Sequence, residues 1–168
     1  MSDQSKRNLK EAFAGESQAN RRYLAFANKA EEDGFPNIAR LFRTVAESET
    51  IHAFNHLKAM GGIRSTEENV EEAWQGEKDE YTGMYPMFMD QAKRDGSNDA
   101  LSSFFWANEA EKVHGDFYEK ALGALKGGKD LALKELYICS VCGYTVEGEP
   151  PDKCPACGKG KEMFKAVA

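Results

Sequence analysis

Apolar residues recur every three or four positions over most of the chain before residue 127, which is the period of an amphipathic α-helix. Gly34, Gly61 and Gly62 interrupt this pattern, and Gly96 and Gly127 do so later. Each segment between these interruptions is long enough to form a helix of several turns. The pattern therefore predicts four long helices, over about residues 5–33, 36–60, 66–95 and 98–126.

Two local signals refine the predicted third helix. Residues 65–68 (Ser-Thr-Glu-Glu) have the composition of a capping box, so the helix should begin there. Pro86 lies within the same helix, and we expect a kink or a one-turn break because proline has no N–H and crowds the preceding turn. An extended crossover over residues 61–76, in place of this early start, stays open.

The chain also carries an internal repeat with a spacing of 61 to 62 residues. Because only three histidines occur in the chain, a chance match that preserves two of them with their acidic neighbours is a poor explanation. The repeat predicts a doubled helical hairpin. Its main matches are Glu16 with Glu77, Glu49 with Glu111, His52 with His114 and Phe42 with Phe104.

Each copy of the repeat has a Glu-x-x-His motif on its second helix. Residues three positions apart share a helix face, so a carboxylate and an imidazole point to the same side. With one further Glu from each remaining helix, this is the ligand pattern of carboxylate-bridged di-metal sites in four-helix bundles. Oxygen and imidazole donors without a thiolate favour iron or manganese. The predicted ligands are Glu16, Glu49, His52, Glu77, Glu111 and His114.

Four further residues lie near these ligands in the sequence. Glu80 is one turn beyond a predicted ligand and could add a carboxylate, although an exposed helix position is the alternative. His56, one turn past the first histidine, is interpreted as a surface group or a neighbour of the ligands. Tyr23 and Tyr85 lie within two turns of a ligand glutamate, where a phenol could donate a hydrogen bond, with core packing as the alternative.

All four cysteines lie in a short C-terminal segment, as Cys139-x-x-Cys142 and Cys154-x-x-Cys157. Two such knuckles can enclose one metal ion in a tetrahedral thiolate cage. About 30 residues bury too little apolar surface to fold alone, so a metal should stabilise this segment. Zinc would make it a structural ribbon and iron a one-electron relay, and the spacing alone does not choose between them.

Composition and charge narrow the class of protein. The chain has 168 residues, 41% of them hydrophobic, and a net charge of −6, so no cationic surface is available for nucleic acid. No apolar stretch could cross a membrane, and the N-terminal residues lack the core of a secretory signal, so we expect a cytoplasmic protein without membrane contact. The predicted domains are a helical bundle over 1–128, a tether over 129–136 and a cysteine-rich domain over 137–168.

In their order, these motifs resemble those of the rubrerythrin family, in which a ferritin-like di-iron bundle is fused to a rubredoxin-like domain. The resemblance covers nearly every residue from 5 to 165 and implies a mainly α fold, a ferritin-like four-helix bundle with a small β domain. It rests on residues 14–17 (Ala-Gly-Glu-Ser), both Glu-x-x-His motifs, Gly76-Glu77-x-x-Glu80 ahead of Met84-Tyr85-Pro86, and both cysteine knuckles.

The resemblance implies an enzyme, a non-haem di-iron peroxidase that reduces hydrogen peroxide to water and so defends an anaerobe or microaerophile against oxidative stress. Reduced rubredoxin or an NAD(P)H-dependent reductase would supply electrons, and an Fe(Cys)4 centre would relay them to the di-iron site. Zinc can replace iron in the four-cysteine site of recombinant protein.

The resemblance also implies a role for each ligand. One of the two irons would exchange Glu80 for His52 on reduction. A carboxylate suits the more positive, oxidised iron pair, whereas a neutral imidazole suits the reduced pair. Tyr23 and Tyr85 would donate hydrogen bonds near the bound oxygen species. Of the remaining ligands, Glu49 and Glu111 would bridge the irons, Glu16 and Glu77 would be terminal, and His114 would bind one iron in every redox state.

Two other functions stay open. A ferroxidase or iron-storage protein would share the bundle ligands but has no evident use for a four-cysteine relay. A non-enzymatic zinc-ribbon module would leave the paired carboxylates and histidines unexplained.

The predicted fourth helix bears on oligomeric state. Gly127 lies sixteen residues beyond Glu111, or about 24 Å of helix, so the cysteine domain would begin far from the ligands of its own chain. We therefore expect a head-to-tail homodimer in which each four-cysteine site lies against the partner's bundle. Exchange of helices between the subunits stays open.

Overall fold

The structure, a computed structural model, describes residues 1–167 and is mainly helical. A small three-stranded antiparallel sheet, in the order β2-β1-β3, follows the helices. The predicted class, mainly α with a small C-terminal β domain, is confirmed. The elements are α1 (Asp3–Glu32), α2 (Pro36–Ala59), α3 (Thr66–Asp79), a π-helical turn (Glu80–Met84), α4 (Tyr85–Asp95), α5 (Asn98–Lys126), β1 (Leu136–Cys139), β2 (Thr145–Glu147) and β3 (Phe164–Val167).

The chain divides into two compact units, residues 1–64 and the remainder from Ser65 on. The first unit is the hairpin of α1 and α2. Gly34 turns the chain between the helices at φ = +83°, a conformation that glycine adopts without a steric cost, and Pro36 occupies the first turn of α2. The buried residues of this hairpin are all alanines, which lets the two backbones approach closely: Ala19, Ala27, Ala30, Ala39, Ala46 and Ala53.

The second unit contains α3, the π turn and α4 packed against α5, together with the C-terminal domain. Ser65 forms a complete capping box with Glu68: its hydroxyl accepts from the Glu68 N–H, and the Glu68 carboxylate accepts from the Ser65 N–H. The predicted start of the third helix is thereby confirmed, and the extended crossover over residues 61–76 is wrong.

The irregularity predicted at Pro86 lies just before that residue. Pro86 occupies the first turn of α4, and the π turn precedes it over Glu80–Met84. The π turn also explains why the repeat spacing changes. Glu16 matches Glu77 at a spacing of 61 residues, whereas Tyr23 matches Tyr85 at a spacing of 62. A π turn accommodates one inserted residue in a helix.

The C-terminal domain packs around its cysteines and against its own chain's α5. Its buried core consists of Cys139, Cys154, Ala156 and Phe164, and Trp106 of α5 packs against this core. Within residues 1–167, no helix combines the length and the apolar character that crossing a membrane requires.

Candidate metal centres

Glu16 of α1 forms a cluster of candidate metal donors with Glu49 and His52 of α2. We call this cluster the first half-site. One donor atom from each of the three lies within 4.8 Å of the others. Nδ1 of His52 is 2.8 Å from Oε2 of Glu49, as expected for residues on one helix face. The His52 side chain is 51% exposed, whereas that of Glu49 is 15% exposed. The cluster therefore opens toward solvent on its histidine side.

A polar contact one turn away holds the two helices of this half-site in register. The side-chain amide of Asn20 donates to the carbonyl oxygen of Ala46 at 2.7 Å and to the hydroxyl of Thr50 at 2.9 Å. Asn20 lies one turn after Glu16, and Thr50 is adjacent to Glu49. These hydrogen bonds therefore fix the relative heights of the two carboxylates.

The second half-site repeats this arrangement with Glu77 of α3 and with Glu111 and His114 of α5, again within 4.8 Å. Nδ1 of His114 is 2.6 Å from Oε2 of Glu111 and 3.8 Å from Oε2 of Glu77. The His114 side chain is only 26% exposed. This histidine is thus more enclosed than its counterpart in the first half-site.

The electrostatics of the second half-site show an excess of negative charge. Burial, followed by the charge of Glu111, raises the pKa of Glu77 from 4.5 to about 7. The hydrogen bond to Glu111 raises the pKa of His114, although burial opposes this. A divalent or trivalent cation would favour the charged carboxylates, against both their burial and their mutual repulsion. The two carboxylates and one imidazole in each half-site therefore fit iron or manganese.

Glu80 lies beside the second half-site but outside its three-residue cluster. It is the first residue of the π turn, and its pKa is raised by burial and then by the charge of Glu111. At the repeat spacing of 61, the counterpart of Glu80 is Ala19, a buried residue of α1. The second unit therefore carries one carboxylate that the first lacks.

Tyr85 faces the same carboxylates. Burial, and then the charges of Glu80, Glu111 and Glu77, raise its pKa, so the phenol keeps its proton and can donate. Its ring also packs against Phe88 and Phe104, with centroid distances of 6.4 and 6.3 Å. Hydrogen-bond donation and core packing, which the sequence offered as alternatives, are compatible at this residue.

Tyr23 belongs to an aromatic cluster that repeats the one around Tyr85. Its ring centroid lies 6.4 Å from that of Phe26 and 6.1 Å from that of Phe42. The three rings recur at a spacing of 62 as Tyr85, Phe88 and Phe104. The tyrosines and Phe26/Phe88 were missed as members of the repeat, although the same comparison that matched the histidines could have found them. His56 belongs to neither cluster of metal donors within residues 1–167.

The four cysteines form a third candidate centre. Sγ of Cys139 is 3.7 Å from that of Cys157, and Sγ of Cys142 is 3.5 Å from that of Cys154; none is in a disulfide. A tetrahedron with metal–sulfur bonds of about 2.3 Å has sulfur–sulfur edges of about 3.8 Å, so the thiols fit one ion.

Backbone geometry supports a thiolate at this centre. Burial acts to raise the pKa of Cys139, but hydrogen bonds from the backbone of Val141 and Cys142 outweigh it and lower that pKa. Gly143 and Gly158 follow the two knuckles with φ of +79° and +71°. These glycines turn the chain around the sulfur cage at no steric cost.

The expectation that the cysteine domain lies far from its own chain's ligands is wrong. Trp106, against which the cysteine core packs, precedes Glu111 by five residues, or about 7.5 Å of helix. The pKa of Tyr144 is raised by burial and then by charges that include Glu109 and Asp116 of α5. The tether over 129–136 is long enough, at about 3.3 Å per residue, to return along α5.

Two three-donor clusters on repeated helical hairpins, joined to a four-thiolate domain, define a ferritin-like di-metal protein with a rubredoxin-like appendage. The rubrerythrin family model matches residues 7–122, and that of the rubredoxin-like domain of rubrerythrin matches residues 137–165. The chain belongs to the rubrerythrin family. This family has a di-iron site and a four-cysteine rubredoxin-like site, and the chain has a cluster of donors for each.

Individual relatives match this chain over nearly its whole length. Rubrerythrin-2 of Clostridium acetobutylicum is 37% identical, with 94% of each chain covered. Nigerythrin of Nitratidesulfovibrio vulgaris is 34% identical, with 95% of this chain and 84% of the relative covered. A solved structure of nigerythrin in a fully reduced, all-ferrous state has 33% identity and a TM-score of 0.55, covering 96% of this chain and 86% of that one.

Proposed function

We propose that this oxidoreductase is a non-haem di-iron peroxidase that reduces hydrogen peroxide to water. The observation that carries the proposal is the four-thiolate centre packed on α5, the helix that supplies Glu111 and His114. A di-iron site that turns over must be re-reduced, and a one-electron carrier at this place can do so. Ferroxidase or storage activity gives no reason for such a carrier.

Each predicted ligand has a proposed role in this reaction. When bound, the iron pair supplies two electrons to hydrogen peroxide as its O–O bond breaks. Conversion to two waters also consumes two protons, and the Tyr85 phenol, which faces Glu80 and Glu111, can donate a hydrogen bond to the departing oxygen. Glu49 and Glu111 are the proposed bridges, Glu16 and Glu77 the terminal carboxylates, His114 a constant ligand, and Glu80 and His52 alternating ligands.

The domain boundaries and the cellular context belong to the same proposal. Residues 1–128 would bind the iron pair, 129–136 would be the tether, and 137–168 would bind the single iron, in line with the spans that the two family models match. Reduced rubredoxin or an NAD(P)H-dependent reductase is the proposed donor. Four clustered free thiols favour the cytoplasm, where thiols stay reduced.

The position of the four-cysteine domain supports electron transfer within one chain. A mixed dimer of Glu111→Ala and Cys139→Ser subunits tests this, because each variant lacks a different centre. With transfer inside a chain, the subunit that keeps its relay has lost its own bridging glutamate, so donor-driven activity should not recover. Recovery in purified mixed dimers would mean that electrons pass between subunits.

Absorption and turnover test the function itself. Protein from iron-replete anaerobic cells should show thiolate-to-iron charge-transfer bands and should consume hydrogen peroxide with reduced rubredoxin as donor. A colourless zinc-loaded domain under these conditions would favour the binding module. Iron uptake and oxidation by oxygen without donor-driven peroxide consumption would favour the ferroxidase.

A further inference from the structure

A groove of about 340 Å³ lies between α4, α5 and the second cysteine knuckle, residues 154–157. Ala156, which stands between the two cysteines of this knuckle, forms part of one wall. The helical walls are mostly apolar and include Trp106 and Phe105, the latter 41% exposed. A molecule seated in the groove would therefore contact Ala156, which is bonded directly to Cys157.

The four thiols differ in their exposure to solvent. Cys139 and Cys154 are 1% and 2% exposed, whereas Cys142 and Cys157 are partly exposed. Each knuckle thus offers one cysteine through which electrons can reach a bound iron from outside. Because electron transfer weakens steeply with distance, a carrier must dock over one of the two knuckles.

The charge around the second knuckle is opposite in sign to that of the whole chain. Residues 152–165 contain four lysines and two carboxylates, a net charge of +2, whereas the chain as a whole carries −6. The first knuckle, residues 139–144, has no charged side chain. All four lysines are exposed, and in the part of the chain that the structure describes only Lys161 forms an ion pair, with Glu149. The unpaired lysines are Lys153, Lys159 and Lys165.

Two of these lysines flank the knuckle that adjoins the groove. The N–H of Cys154 donates to the carbonyl oxygen of Lys159 at 2.7 Å, and Lys153 forms a β-bridge with Gly160. Lys93 of α4 lines the groove itself, and its side chain is 62% exposed. We call the groove together with Lys93, Lys153 and Lys159 the docking surface.

The composition of the docking surface fits a transient protein partner better than a permanent one. Lysine is depleted at the core of stable interfaces, whereas charges around a small contact mainly accelerate encounter. Electron-transfer complexes are typically small and bury less than about 1,200 Å². Lysines around the groove attract a partner of negative charge, and the apolar walls accept an apolar side chain from that partner.

We propose that the docking surface receives an acidic one-electron carrier protein that reduces the four-thiolate iron. One electron leaves the carrier and converts the ferric ion to the ferrous ion, while no covalent bond forms or breaks. The inference rests on the proposed relay function of this centre but not on peroxide as the final electron acceptor. The alternative occupant is a second copy of this chain, which is itself acidic.

Stopped-flow reduction of the iron-loaded protein without peroxide isolates the docking step. The donor is a flavodoxin of net negative charge, reduced to its hydroquinone, and bleaching of the thiolate-to-iron absorption gives the second-order rate constant. Lys153→Glu with Lys159→Glu should lower this constant about tenfold at low salt, and the wild-type constant should fall as salt increases. Lys6→Glu with Lys10→Glu on α1 changes the net charge equally and is the matched control, with an expected change of less than about twofold.

A small reductant separates docking from damage to the centre. Reduction by the methyl viologen radical cation should proceed at an undiminished rate in both double variants, because this reductant needs no docking surface. Equal slowing of both variants with flavodoxin, or no slowing of either, would overturn the proposal. Since no peroxide is present, a failure of the proposed peroxidase activity would leave these rates unchanged.

Amide chemical shifts of the zinc-loaded protein locate the partner without any electron transfer. Oxidised flavodoxin should shift the signals of Ala156 and of the Trp106 indole and leave that of Ser140, in the first knuckle, unchanged. Phe105→Ala removes part of the apolar wall and should weaken binding about fivefold with an unchanged oligomeric mass. Shifts centred on the first knuckle would overturn the proposal. So would a change of oligomeric mass in Phe105→Ala, which would make the groove a contact between copies of this chain.

Discussion

The two helical hairpins share a repeat but differ at the metal donors. Both place two carboxylates and one histidine within 4.8 Å, and both carry the same cluster of three aromatic rings. Only the second has the π turn and Glu80, where the first has Ala19 on an uninterrupted helix. Its histidine is also about half as exposed, at 26% against 51%.

The two hairpins therefore offer unequal sets of donors despite their repeated motifs. Glu80, which takes the place of Ala19, adds a carboxylate at the start of the π turn, and burial followed by the charge of Glu111 raises the pKa values of Glu77 and Glu80. The first half-site has no carboxylate at the equivalent position, because residue 19 is alanine. The proposed ligand exchange needs such an asymmetry, because one iron would keep its ligands while the other alternates between Glu80 and His52.

Loss of the four-cysteine centre, which lies only in the second unit, should have the largest effect on donor-driven peroxide turnover. We expect Cys154→Ser to unfold the domain after about residue 137 and to reduce donor-driven peroxide turnover to background, since tetrahedral metal binding stabilises this segment. Oxidation of a chemically pre-reduced protein by one equivalent of peroxide should persist, as stopped-flow absorption would show. Ser140→Ala, in the same knuckle but without a metal donor, is the control. If the single-turnover oxidation also disappears, the cysteine domain is part of the peroxide site.

Removal of Glu80 tests the asymmetry directly. Glu80→Ala should keep two irons per site, because four glutamates and two histidines remain, and should lower peroxide turnover by roughly 10- to 100-fold. Metal analysis and steady-state kinetics measure the two effects, with Glu71→Ala on the exposed face of α3 as control. Unchanged turnover would make Glu80 a bystander, and loss of both irons would make it a structural ligand.

The two tyrosines provide a matched pair within the repeated aromatic clusters. Tyr85→Phe removes a phenol that faces three carboxylates and keeps the ring packing, so turnover should fall by roughly tenfold while stability changes little. Tyr23→Phe should have a smaller effect because its hairpin has no counterpart of Glu80. Peroxide kinetics with thermal unfolding of both variants measure this. Equal losses would show that the hairpins contribute donors equally.

The smallest expected effect is the pH dependence of the metal-free protein. Because the pKa of Glu77 is about 7 in the folded chain and 4.5 is its usual value, the folded state binds more protons between these pH values. The free energy of unfolding should therefore fall as the pH rises through that window. The raised pKa of His114 acts in the same direction, since its stabilising proton is lost as the pH rises through the folded value.

Thermal unfolding between pH 5 and 8 should record this as a decrease of a few degrees. Glu77→Gln should flatten the dependence. Added Mn²⁺ should reverse the trend, because its ligands must be deprotonated. A metal-free wild type whose stability rises with pH would contradict the crowding inferred for the second half-site.

Local patterns in the sequence were sufficient to predict the helices and to single out side chains that the structure brings together as candidate metal donors. Helix ends depend on nearby residues such as Gly34 and the Ser65 capping box, and these signals act over a few positions. The repeat identified Glu-x-x-His twice because helical spacing alone puts both side chains on one face. The two cysteine knuckles were equally clear in the sequence, since four thiols at this spacing most readily bind a single metal ion.

Tertiary structure decided the features that depend on distant contacts. The sequence shows one inserted residue between Glu77 and Tyr85, but a loop, a kink or a π turn could absorb it, and packing against α5 accompanies the last of these. The direction of the tether, which returns the cysteines to Trp106, depends on apolar surfaces far apart in the chain. The unequal enclosure of His52 and His114 likewise follows from neighbours outside their identical motifs, because burial is a property of packing and not of helical periodicity.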